Sequence, residues 1–237
     1  MQLICFHQPL ATYGRITTDK VSGSEMMDRW DDFLAPYAQA VDELKLKLNS
    51  LKKQMSYNNH GPIEFVTGRV KTKESILEKM QRRHIAAENL AVDMEDIAAV
   101  RIMCEFVDDI YAIVGILRKR HDMDIIEERD YIAHKKPSGY RSYHIIIRYP
   151  VELVTGTKYI KAEIQIRTLA MNFWATIEHS LNYKYQGEFP PEIAERLRKT
   201  AEAAFLLDTE MSNIHDDIKE AERLFAQRKR NNEEDKK

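Results

Sequence analysis

The sequence predicts an α+β fold, a β-sheet flanked by helices with a long helix at either end, and three observations predict it. Residues 30–55 and the stretch from Pro191 to about Arg228 carry apolar side chains at helical spacing over many turns. Between them, short strand-like segments alternate with helical ones, the pattern of a sheet covered by helices. The third observation is the segment Tyr159–Thr168, YIKAEIQIRT, where Glu163, Gln165 and Arg167 fall at alternate positions and Ile160, Ala162, Ile164 and Ile166 fill the others. Successive side chains of a strand point to opposite faces, so a carboxylate, an amide and a guanidinium share one face and an apolar face pins it. Alone, such a segment reads as a half-buried edge strand with a polar solvent face. The rest of the chain decides what that face is for.

The 237 residues suffice to bury a core and fit one domain with a helical extension. The formal charge is -2, with 36 basic residues against 38 acidic ones, so any phosphate site must come from local clustering rather than a general field. Cys5 and Cys104 stand far apart without metal-ligand spacing, which points to a reducing compartment. No apolar run has the length of a bilayer span, and the first residues lack a basic region followed by an apolar core. The expectation is a cytoplasmic protein with no membrane segment.

Residues 1–25 show neither period and have the composition of a flexible tail, while Met26 and Met27 offer an alternative start of translation. The first helix is marked by Trp30, Phe33, Leu34, Tyr37, Val41, Leu44, Leu48 and Leu51, and Pro36 is expected to kink or restart it. Ile63–Arg83 reads as a short strand and a helix crowded with cations: Arg69, Lys71, Lys73, Lys79, Arg82 and Arg83. A charge run is usually a solvated face. Here, however, Gly68 precedes the run at a strand-to-helix junction, and Ser75, Lys79 and Arg82 stack on one side of the helix. That arrangement can present cations and a hydroxyl to a polyphosphate near a helix N-terminus. The GxxxxGK[ST] loop is missing, so side chains rather than backbone would do the holding.

Asp96–Phe106, DIAAVRIMCEF, is expected to be a buried strand with Asp96 at its entrance and Arg101 within it. Such groups are rarely buried unpaired, and alone they would be read as a structural ion pair. A helix follows over 108–120, with Asp108 and Asp109 suited to its N-terminus, and then a strand over 124–132. His134–Gly139, HKKPSG, is a basic turn leading into the strand Tyr140–Pro150, which sets Tyr140, Ser142 and His144 on one face. Tyr140 beside those lysines is a platform for a base in one reading and simple packing in the other. From Leu169 the chain turns helical, and Pro190 and Pro191 open the last helix, whose length suits packing against a partner subunit. The charged final residues are expected to fray.

Five ordered motifs resemble those of the small alarmone synthetases, the stand-alone (p)ppGpp synthetases of the RelA/SpoT superfamily, most of all the RelQ-like subgroup. They are EFVTGRVK from Glu64, DIAAVRIMC from Asp96, ERDYIAHKKPSGYRSYH from Glu128, EIQIRT from Glu163 and MNFWATIEHSLNYKY from Met171. The resemblance runs from Trp30 to about Leu224. It implies a nucleotidyltransferase-like synthetase domain with a mixed sheet over residues 26–224, including C-terminal oligomerisation helices, and a charged tail over 225–237. It also implies a reaction of the stringent response, transfer of the β,γ-pyrophosphate of ATP to the 3′-hydroxyl of GDP or GTP.

Carried over residue by residue, the resemblance implies that Asp96 and Glu163 hold Mg²⁺ and that Glu163 accepts the 3′-hydroxyl proton. Arg69 and Arg101 would sandwich adenine, while Lys71, Ser75, Lys79 and Arg82 would hold the ATP phosphates. Tyr140 would stack on guanine, Arg129, Lys136 and His144 would contact substrate phosphates, and Gln165 would support the acceptor side. The likeness further implies a homotetramer, activation by pppGpp at positions that include Lys45, Phe65, Thr67 and Asn172, and binding of single-stranded RNA. The chain departs from the family pattern in TKES after GRVK, in Ala99 and Ser138, and in Asn49 where a basic residue is common. Every proposed catalytic residue is present.

Two rival functions are weaker. A hydrolase of the same alarmone would need a His-Asp metal site, and the pair His121–Asp122 has no upstream ligands. A catalytically weak nucleotide- or RNA-binding regulator would be marked by loss of Asp96 or Glu163, and both are present. The sequence favours the magnesium-dependent transferase.

Overall fold

The computed structural model describes residues 29–56, 61–185 and 189–234, without the side chains of 183, 184 and 228–234. The predicted tail 1–25 and residues 235–237 lie outside the described residues. Five strands form one mixed sheet: β1 Phe65–Val70, β2 Ala98–Cys104, β3 Asp124–Asp130, β4 Tyr143–Leu153 and β5 Gly156–Thr168. Their spatial order is β1-β2-β5-β4-β3. β2 and β5 run parallel, and the other neighbours are antiparallel. The alternating segment is therefore a central strand rather than the edge strand it resembles in isolation. Six helices complete the described residues: α1 Trp30–Met55, α2 Lys73–Arg83, the short α3 Leu90–Asp93, α4 Val107–Leu117, α5 Leu169–Lys184 and α6 Pro191–Glu234. No helix among the described residues is long and apolar enough to cross a membrane.

The strand register assigns two faces. On one lie Val66 and Gly68 of β1, Val100 and Ile102 of β2, Ile164 and Ile166 of β5 and Ile145 and Ile147 of β4. α1 crosses this face, burying Tyr37, Val41, Leu44, Leu48 and Leu51, and α4 adds Ile110, Ile113, Val114 and Leu117 to the same core. Each fully buried leucine or isoleucine contributes on the order of 2 kcal/mol of transfer free energy. α1 approaches so closely that a Cβ on Gly68 would meet Val41 Cγ1 at 2.7 Å and Lys45 Cδ at 2.9 Å. Gly68 thus serves helix-on-sheet packing inside β1. The strand-to-helix junction expected there lies beyond Val70.

Two other expectations change. α1 runs through Pro36 without a restart, because buried side chains on both sides, from Trp30 to Leu51, hold the helix to the sheet. α6 continues to Glu234, through the charged segment expected to fray from Arg228 on, in keeping with the high helix propensity of Arg, Lys and Glu. α2 begins as its sequence suggests: the Thr72 side chain accepts from the Ser75 amide, and Ile76 and Met80 turn inward. This leaves the α2 cations on its outer sides, within reach of the end of β1.

Candidate functional site

The second face of the sheet carries the polar groups. Thr67 of β1, Arg101 of β2, Gln165 of β5, His144 of β4 and Arg129 of β3 form one cross-strand row. In the adjoining positions Arg69 pairs with Ala99 and Ala99 with Glu163. α5 folds back over this face directly from the end of β5. Thr168 caps it by accepting from the Met171 amide at 3.1 Å, and Asn172 Oδ1 accepts from Arg101 Nη1 at 3.2 Å. The predicted chemical face is therefore enclosed: Glu163, Gln165 and Arg167 are 7%, 9% and 5% exposed.

Enclosure obliges each polar atom to find a partner. Glu163 Oε1 accepts from His144 Nδ1 at 2.8 Å, and Oε2 accepts from Gln165 Nε2 at 2.7 Å. Gln165 Oε1 in turn accepts from Arg167 Nη2 at 2.9 Å and from Arg101 Nε at 3.3 Å. Burial pushes the Glu163 carboxyl up, but His144 and Gln165 together outweigh it and hold the group below the usual glutamate range, ionised at neutral pH. Burial drives the His144 pKa down against the pull of Glu163, so the ring is neutral near pH 7. With its proton on Nδ1 for Glu163, Nε2 is an acceptor for the Tyr140 hydroxyl at 2.8 Å. Arg167 Nη2 donates to that hydroxyl and Arg167 Nε donates to Ser142 Oγ.

A cleft of about 450 Å³ opens beside this network. Arg69, Arg101, Lys136 and Arg167 bring four cations to its wall, against the single carboxylate of Glu178. Burial, then the neighbouring Arg167 and Arg69, lower the Arg101 pKa to about 10, the mark of a cation crowded by cations. Such a wall calls for an anion.

Asp96, at the entrance to β2, does not pair with Arg101. Its two oxygens accept from Lys79 Nζ at 2.7 Å and Lys71 Nζ at 2.8 Å. Burial raises its pKa, but the two ammonium groups prevail and hold it at about 2. Lys79 itself is pushed below the ordinary lysine value, because burial and the nearby Lys71 and Arg83 outweigh its bond to Asp96. Asp96 and Glu163 feel one another electrostatically. Both offer oxygen donors, the type a hard divalent cation takes.

The remaining expected residues fall around this centre. Ser75 Oγ lies 3.1 Å from Thr72 Oγ1 at the start of α2, and Arg82 is exposed further along that helix. Arg129 is held by Glu127 and Glu95, at 2.6 and 2.8 Å from Nη2. The Lys136 ammonium lies 4.5 Å from the Tyr131 ring centre and 4.9 Å from that of Tyr140. Of the four positions matched to an effector cleft, Phe65 and Thr67 are exposed on β1 and Asn172 joins Arg101, all on the polar side. Lys45 lies across β1 from them, its methylenes against Gly68. The hydrolase pair does not gather ligands: Asp122 is bound by Arg120 and Lys47. Among the described residues no group of three or more His, Cys, Asp or Glu could hold a metal ion.

Sequence reasoning left Arg167 without a role, although its place on the Glu163–Gln165 face was the available signal. It also missed how α6 grips the loop before β4. Glu202 accepts from Lys135 Nζ at 2.8 Å and Arg141 Nη2 at 3.2 Å, and the Arg141 guanidinium lies 3.9 Å from the Phe205 ring centre. Gly139 has φ of +90°, and a Cβ there would meet Ala201 Cβ at 2.6 Å.

Comparison with known proteins adds to this geometry. The family described as "Region found in RelA / SpoT proteins" matches residues 68–188. The GTP pyrophosphokinase YjbM of Bacillus subtilis is 52% identical over 207 residues, covering 87% of this chain and 98% of that protein. A GTP pyrophosphokinase family protein from Streptococcus pneumoniae superposes with a TM-score of 0.77 at 62% identity, over 81% of this chain and 96% of its own. The small alarmone synthetase 1 of Bacillus subtilis, bound to its product pppGpp, gives a TM-score of 0.78 at 53% identity, over 81% and 98% of the two chains.

Proposed function

The chain belongs to the RelA/SpoT family, and from that premise we propose that it is a GTP pyrophosphokinase that makes (p)ppGpp from ATP and GDP or GTP. The observation that carries this reading is a buried, ionised Glu163 joined through Gln165 to the wall of a cleft lined by four cations. In the reaction the 3′-oxygen of the guanosine nucleotide attacks the β-phosphorus of ATP. The bond from that phosphorus to the oxygen shared with the α-phosphorus breaks, AMP departs with that oxygen, and Glu163 takes the hydroxyl proton.

The geometry supports a division of labour. Arg69 and Arg101 offer planar cations for adenine, while Lys71, Ser75, Lys79 and Arg82 would hold the ATP phosphates, the two lysines exchanging Asp96 for phosphate oxygens. Tyr140 would carry guanine, Arg129 and Lys136 would serve the substrate phosphates, and Gln165 would hold the acceptor side. Asp96 and Glu163 fit Mg²⁺ as hard oxygen donors, since that ion takes one or two carboxylates and completes its shell with substrate oxygens. Bound there, Mg²⁺ would offset the charge on the phosphates in transfer.

By the same reading the protein acts in the cytoplasm in the stringent response, as a homotetramer. Apolar side chains exposed on α5 and α6, Phe173, Leu206, Met211 and Ile218 among them, support such an assembly. pppGpp would act as an effector through Phe65, Thr67, Asn172 and Lys45, and single-stranded RNA is a further proposed ligand. The test is incubation with γ-labelled ATP, Mg²⁺ and GDP or GTP. Label is expected in guanosine tetra- or pentaphosphate; no transfer, even with pppGpp added, would overturn the reading.

A further inference from the structure

The geometry of the buried network gives His144 a task of its own, and we propose that it is a positioning residue for Glu163. Its Nδ1–H holds the carboxylate in place while the Tyr140 hydroxyl, bonded to Nε2, fixes the ring. The inference rests on the transferase reading and deepens it.

Four observations lead to it. Both ring nitrogens already have protein partners, Glu163 Oε1 at 2.8 Å and the Tyr140 hydroxyl at 2.8 Å. The ring is 7% exposed, as is Glu163, so neither can turn without breaking a buried bond. The hydrogen-bond directions admit one assignment along the chain. The carboxylate only accepts, so Nδ1 carries the hydrogen that faces it, and the Tyr140 hydroxyl, which accepts from Arg167, has its own hydrogen to give to Nε2. Finally, Tyr131 meets the His144 ring edge-on at 90°, with centroids 5.1 Å apart, and blocks rotation from the side. Two tyrosines of the β3–β4 connection, Tyr140 and Tyr131, therefore converge on one imidazole, which also meets Glu163, the acid that accepts the proton.

A group that must lie within hydrogen-bond reach of the 3′-hydroxyl gains from being held still, since a misplacement of about 1 Å costs about 100-fold in rate. The other conceivable task for His144, a direct contact from Nε2 to a substrate phosphate, would require Tyr140 to surrender that nitrogen.

The two tasks use different nitrogens, and substitution can separate them. Asn places its amide nitrogen near the position of Nδ1, and Gln places its own near Nε2. His144→Asn should keep kcat within about tenfold of the parent, whereas His144→Gln and His144→Ala should lose about 100-fold in kcat with the KM for both nucleotides changed little. Tyr140→Phe, which keeps the ring, should lower kcat several-fold in the parent and add nothing to His144→Ala, the signature of one shared pathway. Melting curves on each purified full-length variant confirm that it is folded before its rate is compared. A His144→Gln enzyme as fast as His144→Asn, or a loss expressed as a raised acceptor KM, would overturn the positioning role and favour a phosphate contact. A parent protein that transfers no pyrophosphate would instead overturn the reading of function on which this inference stands.

Discussion

Glu163 and Ile164 are neighbours on β5, exposed by 7% and 0%, and they face opposite sides of the same sheet. On the side of Ile164, β-branched residues meet α1 and α4 and need nothing but shape. On the side of Glu163, each carboxylate oxygen has a donor, and that donor is itself held: His144 by Tyr140, Gln165 by Arg101 and Arg167. Burial does not distinguish the two faces. The difference lies in what burial demands, volume on one side and a closed set of hydrogen bonds on the other, and it teaches that stability and chemistry can be separated by a single step along a strand.

The comparison makes unequal predictions. The largest concerns Glu163→Gln, which should lower transfer by about 10²–10⁴-fold while leaving the protein folded and ATP bound. If labelled product still forms at the parent rate, the polar face does not hold the base. Next, Ile164→Ala should cost about 3 kcal/mol of unfolding free energy in urea titrations, while the folded fraction turns over as before. A loss of kcat in that folded fraction would show that the faces are coupled. Smaller is the contribution of Asp96. A carboxyl held near 2 in the folded protein adds stability above its unfolded pKa, near 4, and gives it up as pH falls from about 4 to about 2, in all about 2 kcal/mol. Unfolding followed across that window should show the slope, and Asp96→Asn should flatten it. Smallest is Gly68→Ala, where the methyl group would press on Val41 and cost about 1 kcal/mol with no change in nucleotide KM.

Much of this arrangement could be read in advance where one local pattern carries the information. The alternation in YIKAEIQIRT writes both faces of β5, and the spacing from Trp30 to Leu51 writes the buried stripe of α1. What could not be read depends on neighbours distant in sequence. Nothing within residues 159–168 says that β2 and β4 will flank the strand or that α5 will cover it, so the polar face looked solvent-exposed. Asp96 finds lysines 25 and 17 positions away because the end of β1, with Lys71, lies beside the start of β2 and α2 follows it. Gly68 announces a close approach without naming what approaches. The end of α6 was missed because charge was taken as a sign of fraying, whereas its Arg, Lys and Glu residues are themselves good helix formers.

The loop that carries Lys136 and Tyr140 contains one position with almost no freedom to vary. Gly139 answers to two independent demands, a backbone angle that side chains resist and a surface of α6 that leaves no room for a methyl group. Residues that tolerate the angle, such as Asn, fail the space, and Ala, the smallest replacement, fails both. In a library that randomises residues 134–139 and is sorted for transfer activity, His134 and Ser138 should drift while glycine returns at 139, because no other side chain fits there unless α6 changes at Ala201 too.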